Sequence, residues 1–177
     1  YQVPFIISIP EKWKHLSPWG TGGVVSDELI SFEDLAPTLI SLAGGTIPDH
    51  MNGRILMGES RTKPTDHLVL SSDRCDNGID LVRTVTDGEW FYARNFMAYM
   101  PEANFKSYSE ISDIMQQMRK DLAGGKLDAL QQSLFVPREP EFLFNLKTDS
   151  WETVNLANKP EHQKQLKKMR KQLNTEM

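Results

Sequence analysis

Asp80-Leu81-Val82-Arg83-Thr84-Val85-Thr86-Asp87-Gly88-Glu89-Trp90-Phe91-Tyr92-Ala93-Arg94-Asn95-Phe96 is the stretch that settles the fold class. Both arms are rich in β-branched and aromatic residues, and Asp-Gly between them is the dipeptide that favours a two-residue type I′ turn. The pattern predicts a hairpin of strands Asp80–Thr86 and Glu89–Phe96 closed at Asp87-Gly88. Working outward, His67–Ser71 is a short strand candidate upstream. Phe142–Leu146 is another downstream, with Lys147-Thr148-Asp149-Ser150 as its turn. Four strands interrupted by a helical insert predict an α+β arrangement with a small antiparallel sheet packed on helices.

The insert, Lys106–Leu134, carries Ile111, Ile114, Met115, Met118 and Leu122 as one helical stripe. Gly124-Gly125 breaks it before Leu127, Leu130 and Leu134 continue as a second short helix. After Pro160 the tail is helical, with Leu166, Met169, Arg170 and Leu173 on one side. That tail concentrates Lys159, Lys164, Lys167, Lys168, Arg170 and Lys171 against Glu161 and Glu176. A basic helix can seek an acidic surface, but the same pattern suits a solvated outer face with cations toward the negative end of the helix dipole.

Upstream of the sheet, Ser31-Phe32-Glu33-Asp34-Leu35-Ala36-Pro37-Thr38-Leu39-Ile40-Ser41-Leu42-Ala43 reads as a helix, with Leu35, Leu39, Leu42 and Ala43 on one face. Ser31 and Asp34 offer a variant of the capping box, Pro37 fits within the first turn, and Gly44-Gly45 can supply the left-handed stop. Glu11 to Gly23 reads as a long ordered loop or a short helical turn. Val3–Ile9 is an apolar run without alternation, the signature of a strand buried on both faces of a sheet. Opening directly on such a strand predicts either a processed terminus or a chain cut from a longer protein. Its unpaired edge predicts that the isolated chain dimerises or covers that edge.

The length of 177 residues allows one domain and a small appendage, and 39% hydrophobic with 25% charged residues excludes a disordered chain. A net charge of −4 argues against a nucleic-acid partner held by bulk electrostatics. No apolar run has the ~18 residues of a membrane span. One cysteine, Cys75, excludes an internal disulfide and a thiolate metal cluster.

Signatures of catalysis are absent one by one: no phosphate-binding glycine loop, no dinucleotide fingerprint, no Gly-x-Ser-x-Gly elbow, no His-x-x-x-His pair. His15, His50, His67 and His162 are scattered, and no Cys-His arrangement activates Cys75. The densest polar cluster is Ser71-Ser72-Asp73-Arg74-Cys75-Asp76-Asn77-Gly78-Ile79-Asp80, directly before the hairpin. A guanidinium among carboxylates at the end of a rigid sheet suits a polyhydroxylated or anionic ligand. The same residues also serve simply to cap backbone groups of a strand-end loop.

Three stretches together resemble the C-terminal part of a sulfatase, in the alkaline-phosphatase-like superfamily. They are Val3-Pro4-Phe5-Ile6-Ile7; then Ile30 to Gly44 followed by Ile47-Pro48 and Met51-Asn52-Gly53-Arg54; and Glu141-Phe142-Leu143-Phe144-Asn145-Leu146 through Asp149-Ser150-Trp151-Glu152 to Asn155-Leu156-Ala157. They fall in the family's order and span nearly the whole chain, with Phe144, Asn145 and Ser150 departing from the family pattern. The Asp73-Arg74-x-Asp76 loop and Asp80-Leu81-Val82-Arg83 resemble the branch of heparan N-sulfatase-like and bacterial glycan sulfatases.

The resemblance implies that residues 1–65 are a remnant of the large α/β sulfatase domain, with strand 3–9 and helix 31–43. Residues 66–177 are then the C-terminal subdomain. It implies a parent enzyme hydrolysing sulfate esters or N-sulfates on a sulfated glycan, in the periplasm or outside the cell. Arg74, Asp76, Asp73 and His15 are the implied substrate contacts. The family's calcium ion and its formylglycine, made from a Cys or Ser followed by Pro two residues on and Arg four residues on, belong to the missing N-terminal domain. Cys75-Asp76-Asn77-Gly78 is not that motif, so no catalytic or metal residue is expected in this chain and the chain alone is expected to be inactive. Two other readings remain: the C-terminal part of a phosphodiesterase or phosphonate hydrolase of the same superfamily, and a non-catalytic glycan-binding or interaction module.

Overall fold

A computed structural model of the chain describes residues 3–20, 22–75 and 77–177, except the side chain of Cys75. Two compact units emerge, Tyr1–Leu68 and Val69–Met177.

In the first unit a single turn of 3₁₀ helix, Phe32–Asp34, leads into helix α1, Leu35–Leu42. The cap forms as the sequence predicts. Ser31 Oγ accepts from the Glu33 N–H at 3.3 Å, and Asp34 Oδ2 accepts from the Ser31 N–H at 3.0 Å. Gly44, at φ +74°, closes a Schellman motif: its N–H donates to Ser41 O, and the Gly45 N–H donates to Ile40 O.

What α1 buries differs from its apolar stripe. The buried side chains are Asp34, Pro37 and Thr38, whereas Leu39 is 66% exposed. Asp34 is tolerated at 3% exposure because Oδ1 accepts from the Arg54 N–H at 2.7 Å and Oδ2 from Arg54 Nη2 at 3.2 Å. Thr38 Oγ1 donates to Asp34 O at 2.6 Å and accepts from the buried Leu56 N–H at 2.9 Å. Gly53 is obligatory in this knot, since a Cβ there would overlap the Glu33 carbonyl. Arg61 and Trp19 close a second tie by donating to Glu28 Oε2 at 2.7 and 2.8 Å.

The strand expected at Val3–Ile9 is not formed. The segment runs without secondary structure and Ile6 is 91% exposed. A strand exists only through a ladder partner, and among the described residues this segment has none. Phe5, Ile7, Trp13, Leu35, Leu39 and Leu42 instead line an apolar groove of about 530 Å³.

The second unit is built on an antiparallel sheet of order β1–β2–β3–β4, made of Leu68–Cys75, Gly78–Thr86, Trp90–Asn95 and Glu141–Asn145. The hairpin turn corrects the expected type. Thr86 pairs with Phe91, and the Asp87 N–H donates to Trp90 O, so the two central residues are Gly88 and Glu89. Only Gly88 has a left-handed φ, +86°, which is the II′ arrangement rather than I′. Asp87 sits one place earlier and accepts from the Glu89 and Trp90 N–H groups.

Register then sorts the side chains. Val85, Tyr92 and Leu143 stand in one cross-strand row, and Thr86, Phe91 and Phe144 in the next, on the opposite face. The first row packs on helix α5, Gln163–Glu176, whose Leu166, Met169 and Leu173 complete a fully buried core. The second face gathers Phe91, Ala93 and Phe144 with Val82, Phe142 and Leu146. Glu141 ties the first row to the helix: it accepts from Tyr92 Oη at 2.6 Å and from Arg170 Nε and Nη2 at 2.9 and 2.7 Å. Burial pushes its carboxyl up, but the Arg170 and Tyr92 hydrogen bonds outweigh burial and hold it below the ordinary carboxylate range. Asn155 finishes the edge of β4, accepting from the Leu143 N–H and donating to Glu141 O.

The helical insert forms α2 (Ser107–Glu110), α3 (Asp113–Ala123) and α4 (Ala129–Ser133). Ser112 Oγ accepts from the Met115 N–H and so starts a new helix inside the predicted stripe. Ile111 and Ile114 end up exposed. Gly124-Gly125 ends α3 as expected, and an Asp128–Gln131 capping box opens α4.

Candidate functional site

The candidate site is the β1–β2 turn. The short connection from β1 to β2 puts Asp73, Arg74 and Asn77 at one end of the sheet, while strand alternation sends Asp73 and Arg74 to opposite faces. Asp73 Oδ1 accepts from Arg83 Nη1 at 2.6 Å, so of the four expected contacts this one already has a cationic partner. Asp73 is well exposed, and such a pair contributes no more than about 1 kcal/mol. The Arg74 side chain is exposed at the end of β1. Asp76 lies outside the described residues. His15 lies in the 3₁₀ turn Glu11–Leu16 of the first unit, its ring 6.0 Å from that of Trp13. The four therefore divide between the units, and only Asp73 and Arg74 are described together at the turn.

Beyond the turn the structure adds residues that sequence reading passed over. Arg138, just before β4, reaches Asp80 in β2 through Nη2–Oδ1 at 2.6 Å and Nη1–Oδ2 at 3.2 Å. Arg138 also donates from Nε to Met100 O at 2.8 Å and from Nη1 to Glu102 Oε2 at 3.1 Å. The Arg138 side chain is only 9% exposed. Burial pushes the Asp80 carboxyl up, but the hydrogen bond and charge of Arg138, with the Leu81 N–H and the charge of Lys106, bring it net below the ordinary range. Burial opposes the charge on Arg138, and Asp80 and Glu102 more than restore it. Asn77 Oδ1 accepts from the Ser107 N–H at 2.8 Å, a tie between the turn and the insert. A two-residue Pro-Arg motif at 137–138 carries no sequence signal for a partner 58 positions away. Only the fold pairs them.

Among the described residues no cluster of three or more His, Cys, Asp or Glu side chains could hold a metal ion. Nor does Cys75-Asp76-Asn77-Gly78 match the formylglycine motif. The described residues thus do not fit a calcium or formylglycine centre. Among the described residues no helix is long and apolar enough to cross a membrane.

A four-stranded antiparallel sheet packed on a C-terminal helix makes this an α+β fold. The comparisons agree with that class. No family model matches the chain. An ulvan-active sulfatase from Formosa agariphila is 36% identical over 176 positions, covering 97% of this chain and 28% of the relative. A second ulvan-active sulfatase of that organism is 26% identical over 174 positions, covering 91% of this chain and 30% of the relative. The structure superposes on that of a Bacteroides thetaiotaomicron protein assigned as a sulfatase with a TM-score of 0.50 and 22% identity, over 80% of this chain and 23% of the other. A 2-O GAG sulfatase gives the same values, and both show the fold alone. Along nearly its whole length the chain is thus similar to one part of these sulfatases, which are sulfuric ester hydrolases. It spans less than a third of the length of the curated relatives it matches.

Proposed function

We propose that this chain is the C-terminal portion of a sulfatase that removes sulfate from a sulfated glycan. In this reading the β1–β2 turn forms one wall of the substrate pocket, and Arg74 grips an anionic group of the substrate. Asp76 and Asp73 accept from sugar hydroxyls, Asp73 sharing its charge with Arg83. His15 is a further candidate contact, carried by the first unit. The observation that carries the reading is the 36% identity along almost the whole chain to an ulvan-active sulfatase. In this proposal the nucleophile and the metal site of the parent enzyme lie outside these residues. The remaining polypeptide is then the main partner, covering the apolar groove beside α1. A periplasmic or secreted address follows from the glycan substrate.

The test uses the full-length protein that carries this chain. Arg74→Ala is expected to raise KM for a sulfated oligosaccharide about tenfold more than KM for a small aryl sulfate, the equivalent of one charge-assisted hydrogen bond. Equal losses on both substrates would overturn the assignment of Arg74. Sulfate release by the purified 177-residue chain alone would overturn the placement of the chemistry outside it.

A further inference from the structure

The loop after β4 is fixed by its own hydrogen bonds, and it carries the most exposed aromatic ring among the described residues. Asn145 Oδ1 accepts from the Lys147 N–H at 3.0 Å and from the Thr148 N–H at 3.3 Å. The chain then wraps around Asp149. Oδ1 accepts from Thr153 Oγ1 at 3.0 Å, Oδ2 from the Val154 N–H at 2.8 Å, and the Asp149 carbonyl from the Glu152 N–H at 3.2 Å. Donors from Val154 first, then Thr153 and Trp151, outweigh burial and hold the Asp149 carboxyl below the ordinary carboxylate range. Glu152 stands at φ +56°, the only left-handed residue other than glycine among the described residues. A glutamate takes that conformation at a cost, and such costs persist where the surrounding structure imposes them. Wrapped in this way, the loop leaves Trp151 87% exposed and Val154 52% exposed. Neither belongs to the two apolar clusters of the sheet, so the unit buries nothing of this ring when it folds.

We propose that Trp151 is a docking anchor: its ring enters an apolar pocket on the polypeptide that lies beyond residues 1–177 in the full-length protein. Three observations choose that occupant. β4 runs from Glu141, paired with Arg94, to Asn145, paired with Trp90 beside the hairpin turn, so the loop sits at the end of the sheet away from the β1–β2 turn. Charge disfavours a sulfated glycan here, because residues 147–154 carry Asp149 and Glu152, and their one cation, Lys147, is paired with Glu89 at 2.6 Å. Size supplies the alternative: this chain covers 97% of itself but only 28% of a curated relative, so over two-thirds of such a protein is polypeptide available to cover the ring. A loop already ordered around Asp149 gives up little conformational freedom on docking, and tryptophan is the residue most often found as such an anchor. This docking rests on the proposed function in one respect, that the chain is part of a longer sulfatase.

Hydroxyl-radical footprinting of the full-length protein reads the ring directly. Trp151 is expected to be oxidised about tenfold more slowly in the folded protein than in the same protein unfolded in guanidinium, the protection of an anchor seated in its pocket. Equal rates, as the 87% exposure within residues 1–177 would give, overturn the docking. Protection lost on dilution would assign the contact to a second copy, and protection that arises only with added sulfated oligosaccharide would assign it to the glycan. Either result overturns the proposal. Trp151→Ala should then speed proteolytic release of this segment from the full-length protein about tenfold or more, with Trp151→Phe intermediate, because proteases cut the opened state. An unchanged release rate would show that the ring holds nothing, and overturns the proposal as well. None of these readouts needs turnover. A full-length protein that protects Trp151 yet releases no sulfate would undo the sulfatase reading and leave the docking standing.

Discussion

Helices α1 and α5 are both amphipathic, yet they meet opposite fates in this molecule. The apolar side chains of α5 lie against a sheet row of matching register, and Leu166, Met169 and Leu173 vanish from solvent. The Leu39 and Leu42 face of α1 remains open, bordering a groove lined by Phe5, Ile7 and Trp13. Its buried side is polar, organised by Asp34, Thr38 and Arg54. A hydrophobic stripe therefore predicts that a surface is made to be covered, and says nothing of what covers it. Where the cover is within the chain, stability follows from burial. Where it is not, local order comes from caps, a Schellman stop and a buried ion pair.

That contrast can be broken by mutation, and the largest effect is expected at the α5–sheet core. Leu173→Ala removes a side chain with no exposure and should destabilise the second unit by about 2–5 kcal/mol, seen as a lowered midpoint in urea with an unchanged slope. A change below the lower bound would mean that α5 is loosely held.

The Glu141 knot should matter less, since both Glu141 and Arg170 are partly exposed. Glu141→Gln is expected to cost about 1–2 kcal/mol. The carboxyl's folded pKa lies below its unfolded value, so its stabilisation is present above pH ~4.3 and is lost as pH falls through the lower, folded pKa. An acid titration of stability should accordingly flatten in Glu141→Gln relative to the native chain. An unchanged acid limb would assign the acid sensitivity to another carboxylate.

Smallest of all should be Leu39→Gln on the open face of α1, which keeps a good helix former and should shift the unfolding free energy by less than about 0.5 kcal/mol. The same substitution should weaken concentration-dependent association of the isolated 177-residue chain in sedimentation, the behaviour expected of an uncovered apolar face. A destabilisation as large as that of Leu173→Ala would show that the groove is a core after all.

Legibility followed the range of the interaction. Local chemistry was readable: the Ser31–Asp34 cap, the Gly44 stop, the hairpin, strand β4 and the face of α5 all follow from residues within a few positions of one another. The turn type was one residue out, because Asp87 and Gly88 favour a loop there but the Thr86–Phe91 register decides which two residues are central. The strand predicted at Val3–Ile9 failed for a different reason, since an extended apolar segment becomes a strand only when it finds a ladder partner. Within the candidate site, the cluster at Asp73–Asp80 stood out by composition. Its supports, Arg83 on Asp73 and Arg138 on Asp80, did not.

By itself the sequence determined the α+β class, the four strands, the capped helix and a likeness to sulfatases spread over three ordered segments, because propensity, capping and periodicity act over short distances along the chain. Tertiary structure alone decided that Asp73 is engaged by Arg83, that α5 is covered while the face of α1 is not, and that Arg138 reaches Asp80 across 58 positions. Those outcomes depend on which surfaces meet and on the alignment of rows across strands. Pairings between residues far apart in sequence leave no periodic trace in it.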